Sequence, residues 1–121
     1  MPGILVVDDS QFIVARIKAE LRKAGLDVTA TAFDGDAGLA AWREHRPDVT
    51  VLDINMPGKD GTEVLKIIKQ EDPAARVVMC SANAAELYAG NCEQRGAVAY
   101  VEKTNVADLI DAVTNALAIV E

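Results

Sequence analysis

"ILVVDDS", residues 4–10, places four apolar residues directly before two adjacent aspartates. Four apolar residues without alternation are typical of a strand that helices cover on both faces of a parallel sheet. Two neighbouring carboxylates at the end of such a strand repel each other and resist desolvation. We therefore expect Asp8 and Asp9 to serve a cation or a reaction rather than the stability of the fold.

The rest of the chain repeats this unit of a short apolar strand followed by a helix. Further strands are predicted at 27–32, 49–52, 77–80 and 97–101, and 27–32 is the least apolar, as expected of an edge strand. Apolar residues at helical spacing predict a helix after the first strand and another after the last: Ile13, Ile17, Leu21 and Ala24; Leu109, Val113 and Leu117. Five such units predict a doubly wound parallel α/β sheet with strand order 2-1-3-4-5.

Helix ends are marked by residues that favour them. Gly25 and Gly96 stand where two helices should stop, while Pro47 and Pro73 follow two others. Asn105 is expected to cap the last helix, with Asp108 adding negative charge to its first turn. The alternation runs through residues 1–121 without a linker, so the sequence predicts a single domain.

Composition excludes several classes of function. No apolar run of the 121 residues approaches the length needed to cross a bilayer, so no membrane association is expected, and the net charge of −7 argues against binding of nucleic acid. Cys80 and Cys92 belong to no metal or redox motif and are expected to be buried thiols in a cytoplasmic protein. The one histidine, His45, stands near a helix end and is not expected to be a ligand.

Polar residues cluster where the strands end. Asp8 and Asp9 follow the first strand and Asp53 follows the third, in "VTVLDINMPGKDG". In the predicted order these strands are neighbours, so three carboxylates should meet at the carboxyl edge, and three oxygens of like charge suit Mg²⁺. Ser81 and Lys103, at the ends of the fourth and fifth strands, would add a hydroxyl and a cation. A metal, a hydroxyl and an ammonium group together favour phosphoryl transfer to an aspartate.

Each of these residues also has a purely structural interpretation. Asp8 or Ser10 could cap the first helix, Asp53 could belong to a turn, and Ser81 could cap the fourth helix. Lys103 could be a solvated surface charge and Tyr100 an ordinary core residue. The functional interpretation is favoured only because the sites fall together at the carboxyl ends of strands 1, 3, 4 and 5.

At these positions the sequence resembles the receiver domains of two-component response regulators, along essentially the whole chain. The resemblance rests on "VVDDS", "LDINMPGKDG", "SA" at 81–82 and "GAVAYVEK". It implies the flavodoxin-like fold, with Asp53 as phosphoacceptor. It also implies a Mg²⁺ site made by Asp8, Asp9 and Asp53, to which the backbone carbonyl of Asn55 would be a further ligand.

The resemblance implies a signalling switch rather than an enzyme with its own substrate. A sensor histidine kinase or a histidine phosphotransfer protein would donate the phosphoryl group, and Lys103 and Ser81 would contact it. Tyr100 would change rotamer, and the face made by helix 4, strand 5 and helix 5 would bind a downstream protein. Asn55 and Asn83 occupy positions that influence how fast the acyl phosphate hydrolyses in this family.

Two residues depart from the family pattern, and a third is a candidate for kinase docking. Lys59 stands where the family often has an apolar residue. Thr104 replaces the proline that usually follows the lysine, so we expect a trans bond between Lys103 and Thr104, since a cis bond before a non-proline residue costs about 2.5–4 kcal/mol. Phe12 lies beside the acidic pair, off the apolar stripe of its helix, and is either a contact for the kinase or a core residue.

Other functions are compatible with parts of this pattern. A flavodoxin-type FMN carrier shares the fold but needs a phosphate loop that "DDSQF" does not supply. A haloacid-dehalogenase-type phosphatase expects D-x-D after the first strand and usually a cap domain. A receiver-like scaffold that no longer takes phosphate is disfavoured by the intact acidic residues and Lys103. A phosphorelay shuttle and a receiver domain excised from a larger regulator remain open alternatives.

Overall fold

Five strands and five helices alternate along the chain. The computed structural model describes residues 3–82 and 85–118, without the side chains of 85–89. The elements are β1 (Ile4–Val7), α1 (Gln11–Lys23), β2 (Val28–Ala32), α2 (Gly35–His45), β3 (Val49–Leu52), α3 (Gly61–Glu71), β4 (Val77–Ser81), α4 (Ala85–Gln94), β5 (Ala99–Glu102) and α5 (Val106–Leu117). The strands pair in parallel in the order β2-β1-β3-β4-β5, which confirms the predicted topology.

The sheet separates two apolar layers. One face packs against α2, α3 and α4 and includes Leu5 and Val7, whereas the other packs against α1 and α5 and includes Ile4 and Val6. Every residue of β1 and β3 is buried. Burial on both faces explains why these strands are apolar without alternation.

The helix ends follow local chemistry. Ser10 is the N-cap of α1, its Oγ accepting a hydrogen bond from the Ile13 N–H at 3.2 Å. Asn105 caps α5 in the same way, accepting from the Asp108 N–H at 3.1 Å, as predicted. Gly25 and Gly96 have φ of +81° and +99°, a backbone conformation that glycine adopts without strain. The Ser10 and Asn105 side chains satisfy N–H groups that have no partner within the helix, while Gly25 and Gly96 donate their N–H groups to the carbonyls of Arg22 and Glu93.

Four predicted strand boundaries and one predicted contact are wrong. β2 starts at 28, β4 extends to Ser81, and β5 runs from 99 to 102 because Ala97 still donates its N–H to the Cys92 carbonyl at the end of α4. In α1 the buried residues are Val14, Ile17 and Leu21, whereas Ala24 is the exposed C-cap. Ala24 lies past the last turn of α1, so helical spacing no longer directs it to the core.

Two further expectations concern the backbone and the thiols. The described residues contain no cis peptide bond, so the bond between Lys103 and Thr104 is trans, as predicted. Cys80 and Cys92 are both free and buried. Within the described part of the chain, no helix combines the length and the apolar character that a bilayer span requires.

Candidate functional site

Three carboxylates meet at the carboxyl edge of the sheet. Asp8 follows β1 and Asp53 follows β3, and these strands are hydrogen-bonded neighbours. One carboxylate oxygen from each of Asp8, Asp9 and Asp53 lies within 4.8 Å of the others. Asp8 and Asp53 are each only 2% exposed, whereas Asp9 is exposed. The structure therefore brings together the three acidic residues that the sequence indicated.

Lys103 lies between two of these carboxylates. Its Nζ is 2.7 Å from Asp8 Oδ2 and 3.2 Å from Asp53 Oδ2. Burial lowers the pKa of Lys103, but its hydrogen bond to Asp8 and the charges of both carboxylates more than offset this, and the net pKa is raised. The ammonium group thus stays charged, and it reaches Asp53 from a trans backbone, as expected.

Asp53 is the least satisfied group of the cluster. Burial raises its pKa most, the charges of Asp8 and Asp9 add to this, and Lys103 opposes it, so the pKa stands at about 6. Within the described residues, its buried Oδ1 has no hydrogen-bond partner. A buried polar atom left unpaired destabilises a fold and marks a position where a ligand or a reaction is expected. Asp53 therefore has one oxygen held by Lys103 and one oxygen without a partner among the described residues.

The other predicted residues lie around this cluster. Ser81 is fully buried at the end of β4, and its carbonyl accepts the Lys103 N–H at 2.8 Å. Tyr100 is half-buried on β5 and packs against the core layer that contains Met79. Asn55 is exposed in the β3–α3 loop, whereas Asn83 lies outside the described residues. The structural interpretation of Asp8 is corrected in part, because its Oδ1 accepts the Ser10 N–H at 2.9 Å while Ser10 itself caps α1.

The backbone under Asp53 is packed tightly, which sequence analysis did not reveal. A Cβ placed on Gly61 would lie 1.9 Å from the Asp53 carbonyl oxygen. Gly61 also donates its N–H to the Ile54 carbonyl at 2.8 Å, and Asp53 donates its own to Val7 at 3.0 Å. The start of α3 thus fixes the backbone from which the Asp53 side chain projects. The only signal in the sequence is the glycine itself, in "KDG" at 59–61.

The donor set fits a hard divalent cation. Mg²⁺ prefers carboxylate and carbonyl oxygens and usually retains some of its waters, so a site that is exposed on one side and buried on the other is suitable. Here Asp9 is exposed to solvent while Asp8 and Asp53 are buried. The Oδ1 of Asp53, which has no hydrogen-bond partner among the described residues, is available as a metal ligand. The acidic cluster of the described residues thus supports Mg²⁺ binding.

Known proteins share both the sequence and the fold. The family model described as "Response regulator receiver domain" matches residues 4–114. The chemotaxis protein CheY of Bacillus subtilis is 40% identical over 107 residues, which are 88% of this chain and 89% of that protein. A solved chain of the CheX–CheY–BeF3–Mg²⁺ complex from Borrelia burgdorferi superimposes with a TM-score of 0.90 at 31% identity, covering 97% of this chain and 90% of that one.

The same module also occurs within larger proteins. A protein-glutamate methylesterase/protein-glutamine glutaminase of Natronomonas pharaonis is 45% identical over 75 residues, which are 62% of this chain but only 21% of that enzyme. The family model, in contrast, accounts for nearly the whole of this chain. The chain therefore belongs to the response regulator receiver family, and it is a phosphorylation-activated signalling switch of the chemotaxis type.

Proposed function

We propose that Asp53 accepts a phosphoryl group from a phosphohistidine on a sensor histidine kinase or a histidine phosphotransfer protein. A carboxylate oxygen of Asp53 attacks the phosphorus, the P–N bond breaks, and the imidazole leaves. The observation that carries this proposal is the state of Asp53, a buried carboxylate with Oδ2 held by Lys103 and Oδ1 without a partner among the described residues. Without a metal ion, burial raises the pKa of Asp53 to about 6, so the carboxyl group is still mostly ionised at neutral pH.

Asp8, Asp9 and Asp53, together with the backbone carbonyl of Asn55, would hold Mg²⁺. When bound, the cation supplies the positive charge that allows an anionic phosphoryl group to approach the carboxylates. The spacing of the three carboxylates supports this assignment. So does the resemblance to a CheY structure whose complex contains Mg²⁺.

Lys103 and Ser81 are assigned to the phosphoryl group itself. The ammonium group of Lys103 already lies 3.2 Å from Asp53 Oδ2, so it can stabilise negative charge on the transferred group with little movement. Ser81 is buried at the end of the adjacent strand and would donate its hydroxyl hydrogen.

Tyr100 is assigned to the conformational response. Its half-buried position on β5 leaves the ring next to the face formed by α4, β5 and α5, where we place the downstream protein. Phosphorylation then acts by shifting a population, and an active state favoured by a few kcal/mol is sufficient.

The phosphoryl donor is proposed to dock beside α1. Phe12 is 77% exposed although it is aromatic, and it is the second residue of α1, three positions after Asp9 in the sequence. The outer surface of α1 also exposes four cations, Arg16, Lys18, Arg22 and Lys23, on a chain whose net charge is −7. An exposed aromatic residue flanked by charge is typical of a protein-binding surface.

We propose a single receiver domain over residues 1–121 that catalyses only its own phosphorylation and dephosphorylation. A phosphorelay shuttle and a domain of a longer regulator are compatible with the same site but have no better support. Two free, buried thiols favour a reducing compartment, in keeping with the expected cytoplasmic location.

Labelling with acetyl phosphate in the presence of Mg²⁺ tests the phosphoacceptor. Because the catalytic groups lie on this chain, wild-type protein should form a hydroxylamine-sensitive acyl phosphate without a kinase, and Asp53→Asn should form none. Asp27→Asn is the matched control, since Asp27 is an exposed aspartate between α1 and β2. Label that persists on Asp53→Asn at full stoichiometry, as measured by intact-mass spectrometry, would refute the assignment.

A further inference from the structure

The β3–α3 loop, residues 53–60, joins the proposed phosphoacceptor to the proposed metal-binding carbonyl. Ile54 and Met56 anchor it in the core, being 5% and 8% exposed, while Asn55 between them faces solvent. Its far end is fixed by Asp60, the N-cap of α3. The position of the intervening residues depends on what the loop contacts outside the sheet.

One such contact lies against the start of α2. A Cβ added to Gly35 would be 2.3 Å from the Lys59 carbonyl oxygen and 3.0 Å from the Lys59 Cβ. The glycine therefore allows the first turn of α2 to lie directly on the loop. The loop backbone at Lys59 and the first turn of α2 are therefore in direct contact.

The Lys59 side chain adds a second contact at the same place. Its Nζ lies 3.6 Å from Asp36 Oδ1, in the first turn of α2, and 3.8 Å from Glu63 Oε1, in the first turn of α3. The Lys59 side chain is only 26% exposed, while the two carboxylates are 82% and 56% exposed. Its stem is thus packed against protein while its charge links two helix starts. Exposed ion pairs contribute little each, but here they join three segments at one residue.

We infer that Lys59 is a positioning residue that holds the β3–α3 loop against α2 and thereby sets the Mg²⁺ affinity of the site. This inference rests on the proposed function, since it assumes that the loop carries the Asn55 carbonyl to the metal. Without the lysine, the loop has more conformations, and binding Mg²⁺ must first select the competent one. The apparent affinity then falls by the fraction of molecules that are competent.

Electrostatics alone predicts the opposite change in Mg²⁺ affinity, so the two explanations can be distinguished by experiment. Lys59→Met removes a positive charge from the neighbourhood of three carboxylates, and this by itself should tighten Mg²⁺ binding. The positioning role instead predicts binding about three- to fivefold weaker. Lys59→Arg, which keeps the charge and the long stem, should restore the wild-type affinity.

The experiment is a calorimetric titration of the whole chain with Mg²⁺ alone. Lys66→Met is the matched control, because it removes the same charge from an exposed position on α3. It should leave the affinity unchanged or slightly higher. Amide exchange gives a second readout: the Gly61 N–H, which donates to the Ile54 carbonyl, should exchange faster in Lys59→Met without Mg²⁺.

The possible results test the proposed metal site and the positioning role of Lys59 separately. Wild-type protein that fails to bind Mg²⁺ would overturn the proposed metal site and this inference with it. Wild-type protein that binds, with Lys59→Met binding equally well or more tightly, would overturn the positioning role and leave the proposed function intact. A Lys66→Met variant weakened as much as Lys59→Met would also overturn it, because the effect would then not depend on the loop contact.

Discussion

Charged side chains have different environments at the two ends of the sheet. At the amino end, Asp48 Oδ2 accepts the Gly3 N–H at 2.6 Å, and Arg43 Nε lies 3.1 Å from both carboxylate oxygens of Glu71. The hydrogen bond between this pair raises the pKa of Arg43 and lowers that of Glu71, so each stabilises the charged form of the other. At the carboxyl end, buried Asp8 and Asp53 share one lysine, and the pKa of Asp53 is raised.

The difference separates what holds the fold from what the fold is used for. At the amino end, Arg43 and Glu71 are exposed, and each stabilises the charged form of the other. At the carboxyl end, Asp53 is buried near the carboxylates of Asp8 and Asp9, and folding disfavours its charged form. The proposed phosphoacceptor and metal ligands need that arrangement, since carboxylates whose oxygens all had hydrogen-bond partners would be less able to bind a cation or to attack a phosphoryl group.

The largest expected effect on stability comes from overpacking the backbone next to Asp53. Gly61→Ala would place a Cβ 1.9 Å from the Asp53 carbonyl oxygen, and neither backbone segment can yield easily. We expect a loss of about 3 kcal/mol or more in the free energy of unfolding, at the upper end for overpacked sites. Urea unfolding in the presence of a chelator measures it.

Gly90→Ala is the control for Gly61→Ala. Gly90 lies within α4, and an added Cβ there would meet nothing within 4 Å. That substitution should stabilise the chain by about 0.5–1 kcal/mol, because alanine favours a helix interior. A Gly61→Ala variant as stable as wild type would show that the carboxyl end is not tightly packed.

Binding of Mg²⁺ should offset most of the charge repulsion at the carboxyl end and so stabilise the folded state. At 100 times its dissociation constant, a ligand that binds only the folded state adds about 2.7 kcal/mol. Thermal melts with Mg²⁺ and with chelator should therefore differ by several degrees. Superimposable melts across a millimolar titration would contradict the metal site, and Ca²⁺ titrated in parallel would report the selectivity.

Asp53→Asn should stabilise the metal-free fold. A carboxyl group whose pKa rises from 3.8 to about 6 on folding binds its proton more tightly in the native state, so wild-type stability falls as the pH rises from about 4 to about 6. Asparagine does not titrate and avoids this loss. Above pH 6 the variant should be about 2–3 kcal/mol more stable than wild type in chelator, and the difference should vanish near pH 4.

Asp48→Asn makes the same chemical change at the amino end, but it should lower the free energy of unfolding, whereas Asp53→Asn should raise it. Asp48 accepts the Gly3 N–H, and weakening that bond should cost about 0.5–1 kcal/mol. If urea unfolding finds both variants destabilised by the same amount at pH 7, the two ends do not differ as described. With Mg²⁺ present, the advantage of Asp53→Asn should shrink or reverse, because wild type gains more from the cation.

Phe12→Ala should have the smallest effect on stability and a clear effect on signalling. Because the ring is 77% exposed, we expect a change within about 0.5 kcal/mol. Transfer from the fastest histidine kinase of the source organism should slow, while labelling by acetyl phosphate stays at the wild-type rate. An unchanged rate of transfer would remove Phe12 from the docking surface, and a large loss of stability would assign it to packing.

Most of the fold could be predicted because its signals are local. Apolar runs, helical spacing and caps such as Ser10 and Asn105 depend on residues a few positions apart. They are sufficient to order five strand–helix units, and right-handed crossovers then leave few topologies. Strand boundaries were off by one or two residues, as at β5, because the last turn of α4 holds Ala97 through its backbone. Spacing alone also misplaced Ala24 in the core in place of Val14.

The sequence by itself determined which residues reach the carboxyl edge, since parallel strands end on the same side and Asp8, Asp53, Ser81 and Lys103 each stand at or just after such an end. Only the tertiary structure decided how these groups share their charges. The closer approach of Lys103 to Asp8 than to Asp53 and the unpartnered Oδ1 of Asp53 depend on atoms brought together from different strands. The contact of Lys59 with α2 was likewise absent from the pattern, because ion pairs and desolvation act through space and leave no periodic trace along the chain.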